Sequence, residues 1–167
     1  WPAQYRAMRV LFKRLFSSDR LLGGFFHSQH ALKAYRDAGI ASEKLCVAHN
    51  GFHPKLFRVD QSAPQARAEI GMPEQTFTLG YTGRLDIEKG ILTLLELAEA
   101  MPSINLLLVG GGHDETVLER ARSLNNVYLY GWQKPSAVPT FLRACDILMI
   151  PPSATALKAG NTVLPMK

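Results

Sequence analysis

The sequence predicts an α/β fold, a Rossmann-like parallel sheet with helices on both faces, preceded by the last helix and βαβ unit of another domain. Two observations predict it. Short apolar runs such as "FTLGYTG", "INLLLVGGG", "NVYLYG" and "DILMIPP" recur along the chain, and segments of helical period separate them. Apolar strands alternating with helices mean a parallel sheet covered on both faces.

Taken in order, Tyr5, Met8, Leu11, Phe12, Leu15 and Phe16 share one helical face, with Arg6, Arg9, Lys13 and Arg14 opposite, so residues 4–16 form a basic amphipathic helix. "LLGGFF" is a short strand, "QHALKAYRDAG" a helix closed by Gly39, and "LCVAHNG" a strand ending in the turn pair Asn50-Gly51. "SAPQARAEIG" is a short helix with Ser62 as cap and Gly71 as stop. Then follow the strand "FTLGYTG", the helix "ILTLLELAEAM" stopped by Pro102, the strand "INLLLVGGG" and the helix "ETVLERARSL" entered through Asp114. The strand "NVYLYG", a helix around "SAVPTFLRA" and the strand "DILMIPP" complete the alternation. The polar connection at about 50–62 divides residues 1–57, the end of an N-terminal domain and hinge, from a C-terminal domain, residues 58–167. The chain opens on Trp1 and stops at Lys167 soon after a strand, and both ends read as cut.

The net charge of +5 is unevenly distributed. Residues 1–58 hold ten Lys/Arg against three Asp/Glu, whereas residues 59–167 hold nine against eleven. The basic residues are not interleaved with aromatics on strands and match no nucleic-acid module, so nucleic acid is not an expected partner. No apolar stretch approaches the ~20 residues of a membrane-spanning helix. Cys46 and Cys145 lack the spacing of a metal or redox pair, and reduced thiols in a cytoplasmic protein are expected.

In open α/β sheets ligands collect beyond the carboxyl ends of the strands, where loops converge and helix N-termini point outward. In "TGRLDIEKG", Gly83 removes a side chain, while Arg84 and Lys89 present a planar fork and a mobile point charge that suit a diphosphate. The same two cations can equally pair with Asp86 and Glu88 on a wet surface. Gly110, Gly111 and Gly112 allow close backbone approach, or make a plain strand-to-helix turn, and His113 beside them can donate to a ligand. The loop is neither a Walker A motif nor a GxGxxG fingerprint, which disfavours an NAD-dependent oxidoreductase.

"LGYTGRLDIEKG", "LLLVGGG", "VYLYGW" and "FLRACDILMIPPS", in this order and after "GIASEKLCVAHNGFHPKLF", resemble the C-terminal donor-binding domain of GT-B fold glycosyltransferases of family 4, the retaining nucleotide-sugar enzymes. The resemblance implies transfer of a sugar from a nucleoside diphosphate, such as a UDP- or GDP-sugar, to a glycan or lipid-linked acceptor. It implies that Arg84 and Lys89 grip the donor diphosphate as the catalytic cations, and that Gly83 leaves room for it. Gly110, Gly111 and Gly112 would lie beside the donor, Gly131, Trp132 and Gln133 would border the base, and Ser153 would begin the loop to the sugar. No metal or other cofactor is expected, since no Asp-x-Asp pair or His cluster occurs to hold one.

The sequence departs from that family in one respect. Its E-x7-E motif supplies carboxylates near the sugar and to the ribose, yet residues 152–167 contain no Asp or Glu. The first glutamate is substituted within "KAGNTVLPMK" and the second would fall beyond Lys167. Backbone N–H groups around Gly160 and Asn161 are candidate replacements. The chain as it stands is expected to be inactive, and a non-catalytic nucleotide-sugar or glycan-binding subunit is the alternative. His27, His30, His49 and His53 read as surface or satisfied histidines, and Ser28 as a helix cap. The helix at residues 5–16 either packs on an absent sheet or makes peripheral contact with the inner face of a membrane.

Overall fold

The computed structural model describes residues 2–151, and the chain separates into two compact units divided between Phe52 and His53. That division falls within the polar connection at about 50–62. The connection contains a one-turn helix, α3 (Pro54–Phe57), which is absent from the sequence reading. Its Phe57 lines a shallow hollow with Val59, Pro139, Leu142 and Arg143, all residues of the second unit.

In the first unit, helix α1 (Pro2–Phe16), strand β1 (Gly24–Phe26), helix α2 (Gln29–Asp37) and strand β2 (Leu45–Val47) succeed one another. β1 and β2 pair in parallel, with Phe25 opposite Cys46. The Ser28 hydroxyl accepts the Ala31 N–H at 3.1 Å, capping α2 as expected. Tyr35 packs between Phe16 and Phe26, at centroid distances of 5.3 and 4.6 Å, and Leu32 and Ile40 are buried. By contrast Met8, Leu11 and Leu15 of α1 are exposed. The Nδ1 of His49 lies 3.1 Å from the carbonyl oxygen of His27. β1 is shorter than the apolar run that predicts it, because the register would set Leu21 and Leu22 against the 3-10 turn Ser42–Lys44.

The second unit runs through α4 (Ala63–Glu69), β3 (Thr78–Thr82), α5 (Ile91–Ala100), β4 (Asn105–Val109), α6 (Glu115–Ser123), β5 (Val127–Tyr130), α7 (Val138–Arg143) and β6 (Ile147–Leu148). The two ends of α4 follow from local chemistry. Ser62 and Gln65 form a reciprocal capping box, and Gly71 beyond the helix takes a φ of 75°. The four strands are parallel in the order β5-β4-β3-β6.

Strand alternation sorts the core into two layers. Leu106 and Leu108 of β4 join Leu79 and Tyr81 of β3 against α5 and α6, where Leu94, Leu95, Val117 and Ala121 are fully buried or nearly so. Leu107 and Val109 face the other way, onto Ala66 of α4, Phe141 of α7 and Ala144 just beyond α7. Gly80 lies on this second face because a Cβ there would overlap the Cys145 sulfur. β4, buried at every residue, is the centre of a sheet covered on both sides.

Candidate functional site

The strand order reverses at β3. The chain steps from β3 out to β4 and β5, then returns to place β6 on the other side of β3. In open α/β sheets such a reversal is where ligands collect, beyond the carboxyl end of the strand at which it occurs, here β3. The segment that occupies this position is Gly83–Lys89.

Ladder hydrogen bonds continue past the strand ends and draw the loops together. The Gly83 N–H donates to Val109 O at 2.9 Å, the Gly110 N–H to Tyr130 O at 3.0 Å, and the Leu85 N–H to Gly111 O at 3.0 Å. Leu85 is fully buried and pins the first loop to the core. Gly110 has a φ of 134°, a conformation closed to other residues, and a Cβ on it would overlap the Gly83 carbonyl oxygen. A Cβ on Gly111 would overlap the Trp132 indole, and one on Gly112 the Leu85 carbonyl oxygen. Glycines 110 to 112 thus lie where three loops touch, each close to a different neighbour.

The cations occupy the rim. The Tyr81 hydroxyl, at the inner end of β3, donates to the Arg84 carbonyl oxygen at 2.9 Å and holds the backbone of that residue. Burial raises the Tyr81 phenol above its ordinary value, Asp86 raises it further, and Arg84 partly offsets both. The Arg84 side chain is 59% exposed and its Nη2 meets Asp86 Oδ2 at 2.7 Å. One half of the wet-surface alternative is therefore present. Lys89, at the end of a 3-10 turn (Ile87–Lys89), is exposed and makes no ion pair among the described residues.

Behind Lys89, Gly90 turns the chain into α5 with a φ of 73°. A Cβ on Gly90 would come within 2.6 Å of the Pro151 carbonyl oxygen, so the loop after β6 lies against the same turn. Gly90 offers no side chain to cap α5, whereas the Asp114 carboxylate accepts the Val117 N–H and caps α6. Of these two helix ends, α5 is the one whose first N–H groups have no side-chain partner and can meet an anion.

Trp132 is 75% exposed and stands over Gly111. Gln133 turns back on its own loop, its Nε2 donating to Gly131 O at 3.4 Å, while His113 is exposed. Ser153, like Gly160 and Asn161, lies outside the described residues. The hollow of about 340 Å³ beside α7 includes none of the predicted site residues. Tyr81 and Asp86 are the site residues that sequence reasoning missed as contributors. The signal for Tyr81 was available, since alternation from Leu79 turns it inward two residues before the loop.

The family described as Glycosyl transferases group 1 matches residues 62–158, more than half of the chain. The chain is 24% identical over 160 residues to a lipopolysaccharide 1,2-N-acetylglucosaminetransferase of Salmonella typhimurium, covering 81% of this chain and 42% of the relative. Two solved structures of Anabaena HepE are similar in sequence and fold. The complex with UDP and glucose is 26% identical with a TM-score of 0.60, covering 76% of this chain and 37% of that one. The complex with UDP is 25% identical with a TM-score of 0.67, covering 80% and 39%. The chain thus spans about two fifths of the length of these relatives.

Proposed function

Since this chain belongs to the family of glycosyl transferases group 1, we propose that the protein transfers a sugar, with retention of configuration, from a nucleoside diphosphate to a glycan or lipid-linked acceptor. The observation that carries this reading is the meeting of the Arg84 and Lys89 loop with Gly110–Gly112 and Trp132 at the strand-order reversal. As the glycosidic bond breaks, negative charge grows on the leaving diphosphate, and cations placed there stabilise the transition state more than the ground state. Arg84, Lys89 and the uncapped end of α5 supply that positive charge, in the part that a metal would otherwise play. Trp132, with Gly131 and Gln133, offers the nucleotide base a flat face.

The HepE complexes with UDP support uridine nucleotides as the first donors to try. The similarity to a lipopolysaccharide acetylglucosaminetransferase supports a glycan or lipid-linked acceptor. A cytoplasmic protein in peripheral contact with the inner face of a membrane fits the same reading. The support is α1, where Met8, Leu11 and Leu15 are exposed beside Lys13 and Arg14. No helix among the described residues is long and apolar enough to cross a membrane. Salt-sensitive flotation of the protein with anionic vesicles tests that contact, and no flotation at low salt rejects it.

A non-catalytic nucleotide-sugar-binding subunit is the second reading, favoured by the lack of any Asp or Glu in residues 152–167. Titration with UDP, GDP and NAD tests the nucleotide site. Binding of a nucleoside diphosphate is expected, and binding of NAD alone overturns both readings. Turnover of a radiolabelled nucleotide sugar by the full-length protein then separates enzyme from binder.

A further inference from the structure

We infer that Asp86 is a positioning residue, a carboxylate that holds the Arg84 guanidinium at the mouth of the site before the donor arrives. The inference rests on the nucleoside-diphosphate reading above. An exposed arginine ordinarily spreads over many rotamers, and ordering it on binding costs affinity. Asp86 is itself well placed to impose that order. Its side chain is only 21% exposed. Its backbone carbonyl accepts the Lys89 N–H at 2.9 Å, and its neighbour Leu85 is buried and bonded to Gly111. Its second carboxylate oxygen stands 3.1 Å from where a Cβ on Gly112 would lie, so the carboxylate sits against the glycine turn.

The contact also leaves the guanidinium accessible. The pair is closest through Nη2 of Arg84, and with 59% of the side chain exposed the guanidinium has further N–H donors to offer an incoming anion. The Tyr81 hydroxyl fixes the Arg84 backbone and Asp86 fixes the tip, so the residue is held at both ends. A pair this exposed adds little to folding stability, and its consequence is the orientation of the guanidinium.

The sign of one substitution decides the matter. By charge alone, replacing Asp86 with a neutral residue beside an anion site should tighten diphosphate binding. Positioning demands the opposite. UDP and GDP are titrated calorimetrically into the wild type, Asp86→Asn, Arg84→Gln and the double variant. Asp86→Asn is expected to bind the nucleoside diphosphate about threefold to tenfold more weakly, with an unchanged melting temperature, whereas in the Arg84→Gln background the same change costs no affinity and instead relieves the repulsion of an unpaired carboxylate. Equal or tighter binding by Asp86→Asn, or an equal loss in the Arg84→Gln background, overturns the inference. If the wild type binds neither nucleotide, the reading of the site fails, and the positioning is judged separately by NMR relaxation of the Arg84 Nε–H in the ligand-free protein. Its order parameter is expected to fall in Asp86→Asn, and an unchanged value overturns the inference.

Discussion

Arg67 of α4 and Asp146, just before β6, are 79 residues apart in sequence and form an ion pair at the amino end of β3. The same carboxylate oxygen accepts the Thr78 N–H at 2.7 Å, while Arg67 also donates through Nε to Ala144 O and through Nη1 to Glu74 O, both at 2.8 Å. One guanidinium, with only 5% of its side chain exposed, thus ties α4, the end of α7 and β3 together.

Removing one partner leaves a buried charge with incomplete compensation, so Asp146→Ala is expected to cost about 3 kcal/mol, the low end for such pairs because a third of the Asp146 side chain is exposed. Burial pushes the Asp146 carboxyl up, but the Thr78 N–H and Arg67 outweigh it and hold the group below its ordinary value. A carboxylate depressed on folding contributes stability above its unfolded value of about 3.9 and loses it as pH falls through the lower folded value. Urea midpoints measured from neutral pH to pH 3 should therefore fall more steeply in the wild type than in Asp146→Asn. Parallel curves would reject the assignment.

Gly110→Ala meets two penalties at once, a φ of 134° and the Gly83 carbonyl oxygen in the space of its Cβ. A loss of about 2–4 kcal/mol is expected, the sum of backbone strain and overpacking. Because the displaced neighbour is the residue before Arg84, nucleoside diphosphate affinity should fall with stability. A variant as stable as the wild type by urea denaturation would show that the loops do not approach this closely.

The fold was legible because its signals are local. The apolar run at Leu106–Val109, the Ser62 and Asp114 caps, and Gly71 each act within a few residues. The site was legible as a list of loops, but not as a geometry. Nothing near Gly110 in sequence says that its neighbour is Gly83, since that approach depends on the pairing of β3 with β4. Nor does spacing alone decide between a ligand and Asp86 for the Arg84 side chain. The helix Pro54–Phe57 escaped because one turn carries too little periodicity to read.

The two thiols should behave oppositely. Burial, aided by Asp146 and only partly opposed by Arg67, pushes the Cys145 thiol up to about 12, and its sulfur donates to Phe141 O at 3.2 Å. Cys46 is exposed on β2. Since the thiolate is the nucleophile, a disulfide reagent at pH 8 should titrate one thiol quickly in the folded protein and the second only after denaturation. Two equal rates would contradict the packing of Cys145 beneath Gly80.

Arg84→Ala and Lys89→Ala test the cations, and their effects should be unequal. A charge-assisted hydrogen bond contributes about 1.5–3 kcal/mol, so each substitution is expected to weaken nucleoside diphosphate binding by roughly 10- to 100-fold. Lys89 makes no ion pair among the described residues, and its removal takes away one attraction only. Arg84 neutralises Asp86, and its removal also releases a carboxylate to repel the diphosphate. Arg84→Ala should therefore be the more damaging change. In Arg84→Ala/Asp86→Ala, that extra loss should be recovered, bringing the affinity back to the level of Lys89→Ala. The free nucleoside, which carries no phosphate, should bind all four proteins alike. Calorimetric titration with the nucleoside and its diphosphate reads both effects, and equal diphosphate affinity in the wild type and both single variants would return the loop to an ordinary charged surface.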